Sequence, residues 1–161
     1  MTLPGNHKVL LIGYGNPARE DDGLGPAEAQ AIEKLNIEGV SVDSNYQLTV
    51  EDAAAAASHD VVVFVDAVVQ GPAPVVFYEL EPKRKESFTS HSEDPAAILG
   101  LTRDLFNAET RGFMLGIRGY SFEMFKEEMT AEASENLEAA VRFITPLLRS
   151  KNFDGISKVI N

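Results

Sequence analysis

The chain has 161 residues, which suits one domain with one sizeable core. Hydrophobic residues make up 44% and charged residues 24%, ordinary for a globular protein, while the formal net charge is -11. That acidity repels nucleic acid and anionic membrane surfaces, so neither is expected as a partner. The absence of cysteine removes any disulfide framework, thiolate metal site or Cys nucleophile and fits a reducing compartment. No apolar run is long enough to span a bilayer, and Met1 to Lys8 lacks the apolar core of a signal peptide, so a cytoplasmic protein is expected.

Val9 to Ile12 is a short apolar run with β-branched residues and reads as a buried strand. Gly13 and Gly15 follow at once, where glycine permits a tight turn or a close approach. Asn16-Pro17 adds a turn signal, and Glu20-Asp21-Asp22 precedes a helical stretch from about Leu24. Carboxylates at a helix start are favoured by its dipole, so capping is the plain structural role for Asp21 and Asp22. G-x-G after a strand also suggests a dinucleotide loop. Ala18 stands where the third glycine would be, and acidic residues stand where a pyrophosphate would sit, so the local chemistry favours a cation over an anion.

Pro26 to Leu35 reads as a helix, with Ala27, Ala31, Ile32 and Leu35 on its apolar face and Glu28, Gln30 and Lys34 elsewhere. Val40 to Ser44 is a short strand. Thr49 is placed to cap an alanine-rich helix with Asp52 in its first turn. Asp60 to Ala67 contains the strongest strand in the chain, continuous enough in apolar residues for burial on both faces, and it ends in Asp66. Gly71-Pro72 and Pro74 break the chain before a strand over Val75 to Leu80, whose bordering prolines suggest an edge. Lys83 to Glu86 reads as a solvated loop, and Ser90-His91-Ser92 follows. Asp94-Pro95 opens a helix to about Phe106, Arg111 to Ile117 is a strand, and Gly119 to Met129 is irregular. Thr130 to about Leu148 is the last long helix, with Pro146 inside it. Residues 1–161 thus form a single domain with a core of about 8–149, and 150–161 reads as a polar, flexible tail.

Strands alternating with helices imply an α/β/α sandwich around a twisted, mostly parallel sheet, with one antiparallel edge strand. The first strand should lie in the middle, with the second on one side and the third on the other. Ligands of such sheets bind where the strand order reverses, beyond the carboxyl ends. Two acidic residues converge there by independent routes: Asp22 in the loop after the first strand, and Asp66 at the end of the third. A carboxylate ending an apolar strand is costly to bury unless it is paired, metal-bound or capping the next segment. His91, in a loop before a helix, is the natural third member. His7 lies near the terminus, and His59 on the wrong edge of the sheet. Two carboxylates and an imidazole with open positions suit a first-row divalent metal such as nickel or zinc. No G-x-S-x-G elbow supports a triad from Ser90 or Ser92, and no H-E-x-x-H occurs.

These blocks together resemble the [NiFe]-hydrogenase maturation endopeptidases. The residues concerned are Gly13-Tyr14-Gly15-Asn16, then Asp21-Asp22-Gly23, then Val63-Phe64-Val65-Asp66-Ala67, and Thr89-Ser90-His91-Ser92 before a helix. Tyr46 to Ala53 and Ile117 to Glu123 are also similar to one branch of that family. The resemblance implies an endopeptidase that trims the C-terminal extension of a hydrogenase large-subunit precursor after nickel insertion. It maps nickel recognition and catalysis onto Asp22, Asp66 and His91, with Asp21 a lesser neighbour. The nickel would arrive with the precursor, and another divalent metal could occupy the isolated protein. Many members carry Glu where this chain has Asp22, so a metal would sit slightly closer to the backbone here. The resemblance leaves open whether the metal activates water or only docks the substrate. A monomer is expected. The rival readings are a nickel-sensing or escort protein that cuts nothing, and a small nucleotide-binding domain.

Overall fold

Val9–Tyr14 forms β1, with every residue from Val9 to Gly13 buried, as an apolar run covered on both faces must be. The computed structural model describes residues 7–83, 94–156 and 158–160. After β1 come a single 3-10 turn (Glu20–Gly23), α1 (Leu24–Leu35), β2 (Val40–Asn45), α2 (Val50–Ala57) and β3 (Val61–Val68). Then follow β4 (Val75–Glu79), α3 (Pro95–Phe106), β5 (Arg111–Arg118), α4 (Ala131–Ser150) and β6 (Lys158–Ile160). The sheet has six strands in the order β2-β1-β3-β5-β4-β6. β2, β1, β3 and β5 run parallel, whereas β4 is antiparallel to β5 and to β6.

The chain thus steps from β1 to β2 on one side and from β2 back across β1 to β3 on the other, as expected. The strand order reverses between β1 and β3, which marks the crevice expected beyond their carboxyl ends. Alternate residues of the strands feed two cores. Val9, Leu11, Val63 and Val65 pack with α1 and α4, while Leu10, Ile12, Val62 and Phe64 pack with α2 and α3. This is the three-layer sandwich that the alternation of elements implied.

Several local expectations are corrected. α1 starts at Leu24, where the helical stretch was expected to begin, directly after the 3-10 turn and before the periodic run from Pro26. Glu28, assigned above to the polar side of α1, is fully buried. β4 has the expected antiparallel sense, but β6 pairs along its outer side. Residues after Ser150 are not a loose tail: Lys151 and Phe153 are buried, and the Phe153 ring lies 4.9 Å from that of Phe113. The aromatic contact gives that segment an apolar anchor that its polar composition hid. Pro146 is accommodated within α4. Asp94 caps α3 by accepting from the Ala97 N–H at 2.7 Å, with Pro95 in the first turn as expected.

Candidate functional site at the carboxyl ends of β1 and β3

The crevice is shaped first by backbone contact. A Cβ on Gly25, near the start of α1, would fall on the carbonyl oxygens of Tyr14 and Val65. Only glycine lets the helix press against the ends of both strands. Gly15 has φ +142° and faces the Asp22 carbonyl, which fills the space a side chain would need. That carbonyl also stands where the glycine turn would have to receive a phosphate. The dinucleotide reading therefore loses its cradle.

The two neighbouring aspartates are treated differently. Asp21 is fully buried. Its Oδ2 accepts from the Tyr120 N–H (2.8 Å), the Ser121 N–H (3.1 Å) and the Thr130 hydroxyl (2.9 Å), and its Oδ1 accepts from the Thr130 N–H (2.9 Å). Burial alone would raise its pKa, but these donors outweigh it and hold the carboxyl below the usual range. Asp21 therefore clasps the 119–130 segment. Glu20 N–H to Lys126 O (2.6 Å) and Lys126 N–H to Ala18 O (2.9 Å) continue the seam. Neither Asp21 nor Asp22 caps α1, whose N-terminus takes no side-chain hydrogen bond. The capping role suggested by their position is thus replaced, for Asp21, by a tertiary one.

Asp22 is partly buried, and its Oδ2 accepts from the Asn16 N–H at 2.8 Å. That bond, the one the carboxylate makes among the described residues, fixes it at the mouth of the β1 turn. Asp66 is also partly buried, and its Oδ1 accepts from its neighbour's amide, Ala67 N–H, at 2.8 Å. Its pKa is pushed up to about 7, by burial first and by the negative charge of Asp22. The Ala67 amide and the neighbouring Tyr14 hydroxyl oppose the rise without cancelling it. The two carboxylates predicted to converge therefore do so closely enough to act on each other. Asp66 is held near neutrality in its protonation, where a cation or a proton could each satisfy it.

Tyr14 was missed as a site residue by sequence reasoning. Gly13 pairs with Val65 in the register of β1 and β3, which brings the next residues along, Tyr14 and Asp66, to the same rim. Burial, followed by the Asp66 charge, drives the Tyr14 phenol upward, so it stays protonated beside Asp66. The only signal in the sequence was a tyrosine between two glycines immediately after the strand. His91, with Thr89, Ser90 and Ser92, lies outside the described residues. Among the described residues, no group of three or more His, Asp or Glu side chains could hold a metal ion. The donor set that is described, two interacting carboxylates with few compensating donors, suits a cation arriving from outside. His59 is spent elsewhere, its Nδ1 2.8 Å from the Ala55 carbonyl oxygen.

Among the described residues, no helix is long and apolar enough to cross a membrane. No protein-family model matches the chain, and comparison with curated proteins finds no match. Solved structures do match over nearly the whole length. The [NiFe] hydrogenase maturation protease HycI from Thermococcus kodakarensis superposes with a TM-score of 0.70 at 22% identity, over 91% of this chain and 94% of that one. The hydrogenase maturating endopeptidase HybD from E. coli gives 0.65 at 18% identity, over 96% and 98%. The hydrogenase 2 maturation peptidase from a Thaumarchaeota archaeon gives 0.65 at 20%, over 89% and 99%. At these identities the likeness establishes that the chain has the fold of the hydrogenase maturation proteases.

Proposed function

We propose that this protein is a cytoplasmic endopeptidase that removes the C-terminal extension of a [NiFe]-hydrogenase large-subunit precursor. The observation that carries the reading is the Asp22–Asp66 pair at the strand-order reversal of this fold. Asp66 is left there with a pKa of about 7 and, among the described residues, no permanent countercharge. Asp22, Asp66 and His91 receive the nickel that the precursor brings, so the metal belongs to the substrate. In the isolated protein another divalent cation can take the same donors. Cation approach favours the charged form of Asp66 over the protonated one, which ties recognition of the loaded precursor to the state of this carboxyl.

Peptide hydrolysis requires a proton to leave water as the C–O bond forms and a proton to reach the departing amine as the C–N bond breaks. A carboxyl that titrates near neutrality can serve either transfer, and the Ala67 N–H holds it in orientation. The protein acts as a monomer on a protein partner.

The test is incubation of the purified protein with nickel-loaded and nickel-free precursor, followed by gel mobility and mass of the product. Shortening of the loaded precursor alone supports the reading. Retention of the precursor in a complex without any shortened product would establish a nickel escort instead.

A further inference from the structure

β2 ends the sheet, and among the described residues nothing pairs with its outer side. The ladder to β1 shows which groups are left over. Gly39 O accepts from Val9 N–H and Asn45 O from Gly15 N–H, so the odd-numbered residues 39 to 45 turn their backbone towards β1. Val40, Val42 and Ser44 then turn theirs outward. Val40 N–H is taken by Ile37 O, and Ser44 N–H by the Asp43 carboxylate at 2.9 Å. The N–H of Val42 and the carbonyls of Val40, Val42 and Ser44 remain as an open template. Exposed edges are usually blunted with lysine, proline or a bulge, and the sequence Val-Ser-Val-Asp-Ser-Asn contains neither lysine nor proline.

A groove of about 580 Å³ runs beside this edge, between β2, α1 and the 119–130 segment. Val42 and Met129 give it an apolar floor; Glu20, Glu33, Asp43 and Glu127 line it, and no lysine or arginine does. A second hollow of about 280 Å³ shares Pro17, Pro26 and Ser44 with the first and extends it to Gly15 and Asn45. Gly15 adjoins Asn16, whose amide holds Asp22. The trough therefore leads from the free edge to the mouth of the candidate site.

We infer that the outer edge of β2 binds an extended, lysine- or arginine-bearing stretch of the precursor's C-terminal segment as an added strand. This rests on the proposed function for the identity of the partner. Backbone pairing with Val42 and its neighbours supplies affinity, and alternate side chains of the added strand enter the acidic groove. An added strand would lie about 12 Å from the gap between β1 and β3, a distance that roughly four extended residues cover. The edge thus holds the substrate beside the carboxylates in the extended form that cleavage needs.

Val42→Pro separates this use of the edge from the fold, because it removes an outward N–H that β1 does not use and proline is tolerated on edge strands. The probes are the nickel-loaded precursor and a fluorescein-labelled peptide spanning its C-terminal segment. Peptide affinity by anisotropy and precursor kcat/KM should each fall about tenfold or more in Val42→Pro, with an unchanged thermal melt. Asp66→Asn should bind the peptide like the unaltered protein. The double variant Asp43→Lys with Glu127→Lys should also weaken binding about tenfold, and it carries the test if Val42→Pro does not fold. Cleavage by the unaltered protein with equal cleavage and binding by Val42→Pro and by the double lysine variant would overturn the inference and leave the proposed function standing. Binding lost in the variants, with no cleavage by any form, would support the edge and overturn the protease reading. A dimer in solution that Val42→Pro dissociates would show that a second copy occupies the edge, and would overturn the inference.

Discussion

Asp21 and Asp66 are the same residue type, both bordering the strand-order reversal, and they are driven in opposite directions. Asp21 is the more deeply buried of the two, yet its carboxyl lies below the usual range because backbone amides and a threonine hydroxyl outweigh desolvation. Asp66 keeps part of its surface, yet burial first and then the negative charge of Asp22 raise it to about 7, because few donors among the described residues oppose them. Burial alone does not decide the state of a buried acid; the balance of donors against desolvation does. A saturated carboxylate is committed to holding structure, and an under-compensated one is available for chemistry.

The sharpest way to break this contrast is to remove both charges in turn and read activity and stability separately. Asp66→Asn keeps the shape but loses the titratable group. Precursor processing should fall by about a thousandfold or more, with the urea midpoint unchanged or higher. Asp21→Ala strands the amides of Tyr120, Ser121 and Thr130, and should cost about 3 kcal/mol in a urea titration.

Glu28 supplies a third carboxyl for the comparison: fully buried, with both oxygens unpartnered, and pushed up to about 8 by burial. Its folded pKa lies above the ordinary glutamate value of 4.5, so its contribution to stability is whole below that value and is lost as pH rises through about 8. Asp66 acts in the same sense up to about 7. Asp21 acts in the opposite sense, with stability present above the ordinary carboxylate range and lost as pH falls through its lowered value. Glu28→Met should therefore stabilise the protein by about 2 kcal/mol at pH 9 and flatten the decline of melting temperature between about pH 5 and 8. The smallest effect belongs to Tyr14→Phe. Losing the neighbouring hydroxyl, which favours the charged form, should move the Asp66 midpoint upward by less than about one pH unit, read from its side-chain carbon shift in the metal-free protein.

What the sequence carried was whatever local pattern encodes. The apolar run Val61 to Val65 announced a strand buried on both faces. The alternation of elements announced the order β2-β1-β3 and hence the meeting of Asp22 with Asp66. Partners distant in sequence were not legible. Asp21 reads as a helix cap because its donors lie about a hundred residues away, at Tyr120, Ser121 and Thr130. Glu28 reads as solvated because nothing in a helical repeat says that a glutamate will be covered. Phe153 sits in a polar stretch whose composition outweighs one aromatic ring until Phe113 is seen to receive it.

The seat of Gly25 against the ends of β1 and β3 has a consequence for how the molecule can vary. The width of the cleft is gauged by main chain touching main chain, with the missing methyl group as the tolerance. Alanine there would act as a shim, lifting the start of the helix and carrying Asp22 with it. Side chains around the rim can drift without altering that gauge, so the surroundings of the acids are free to diversify while their spacing stays put.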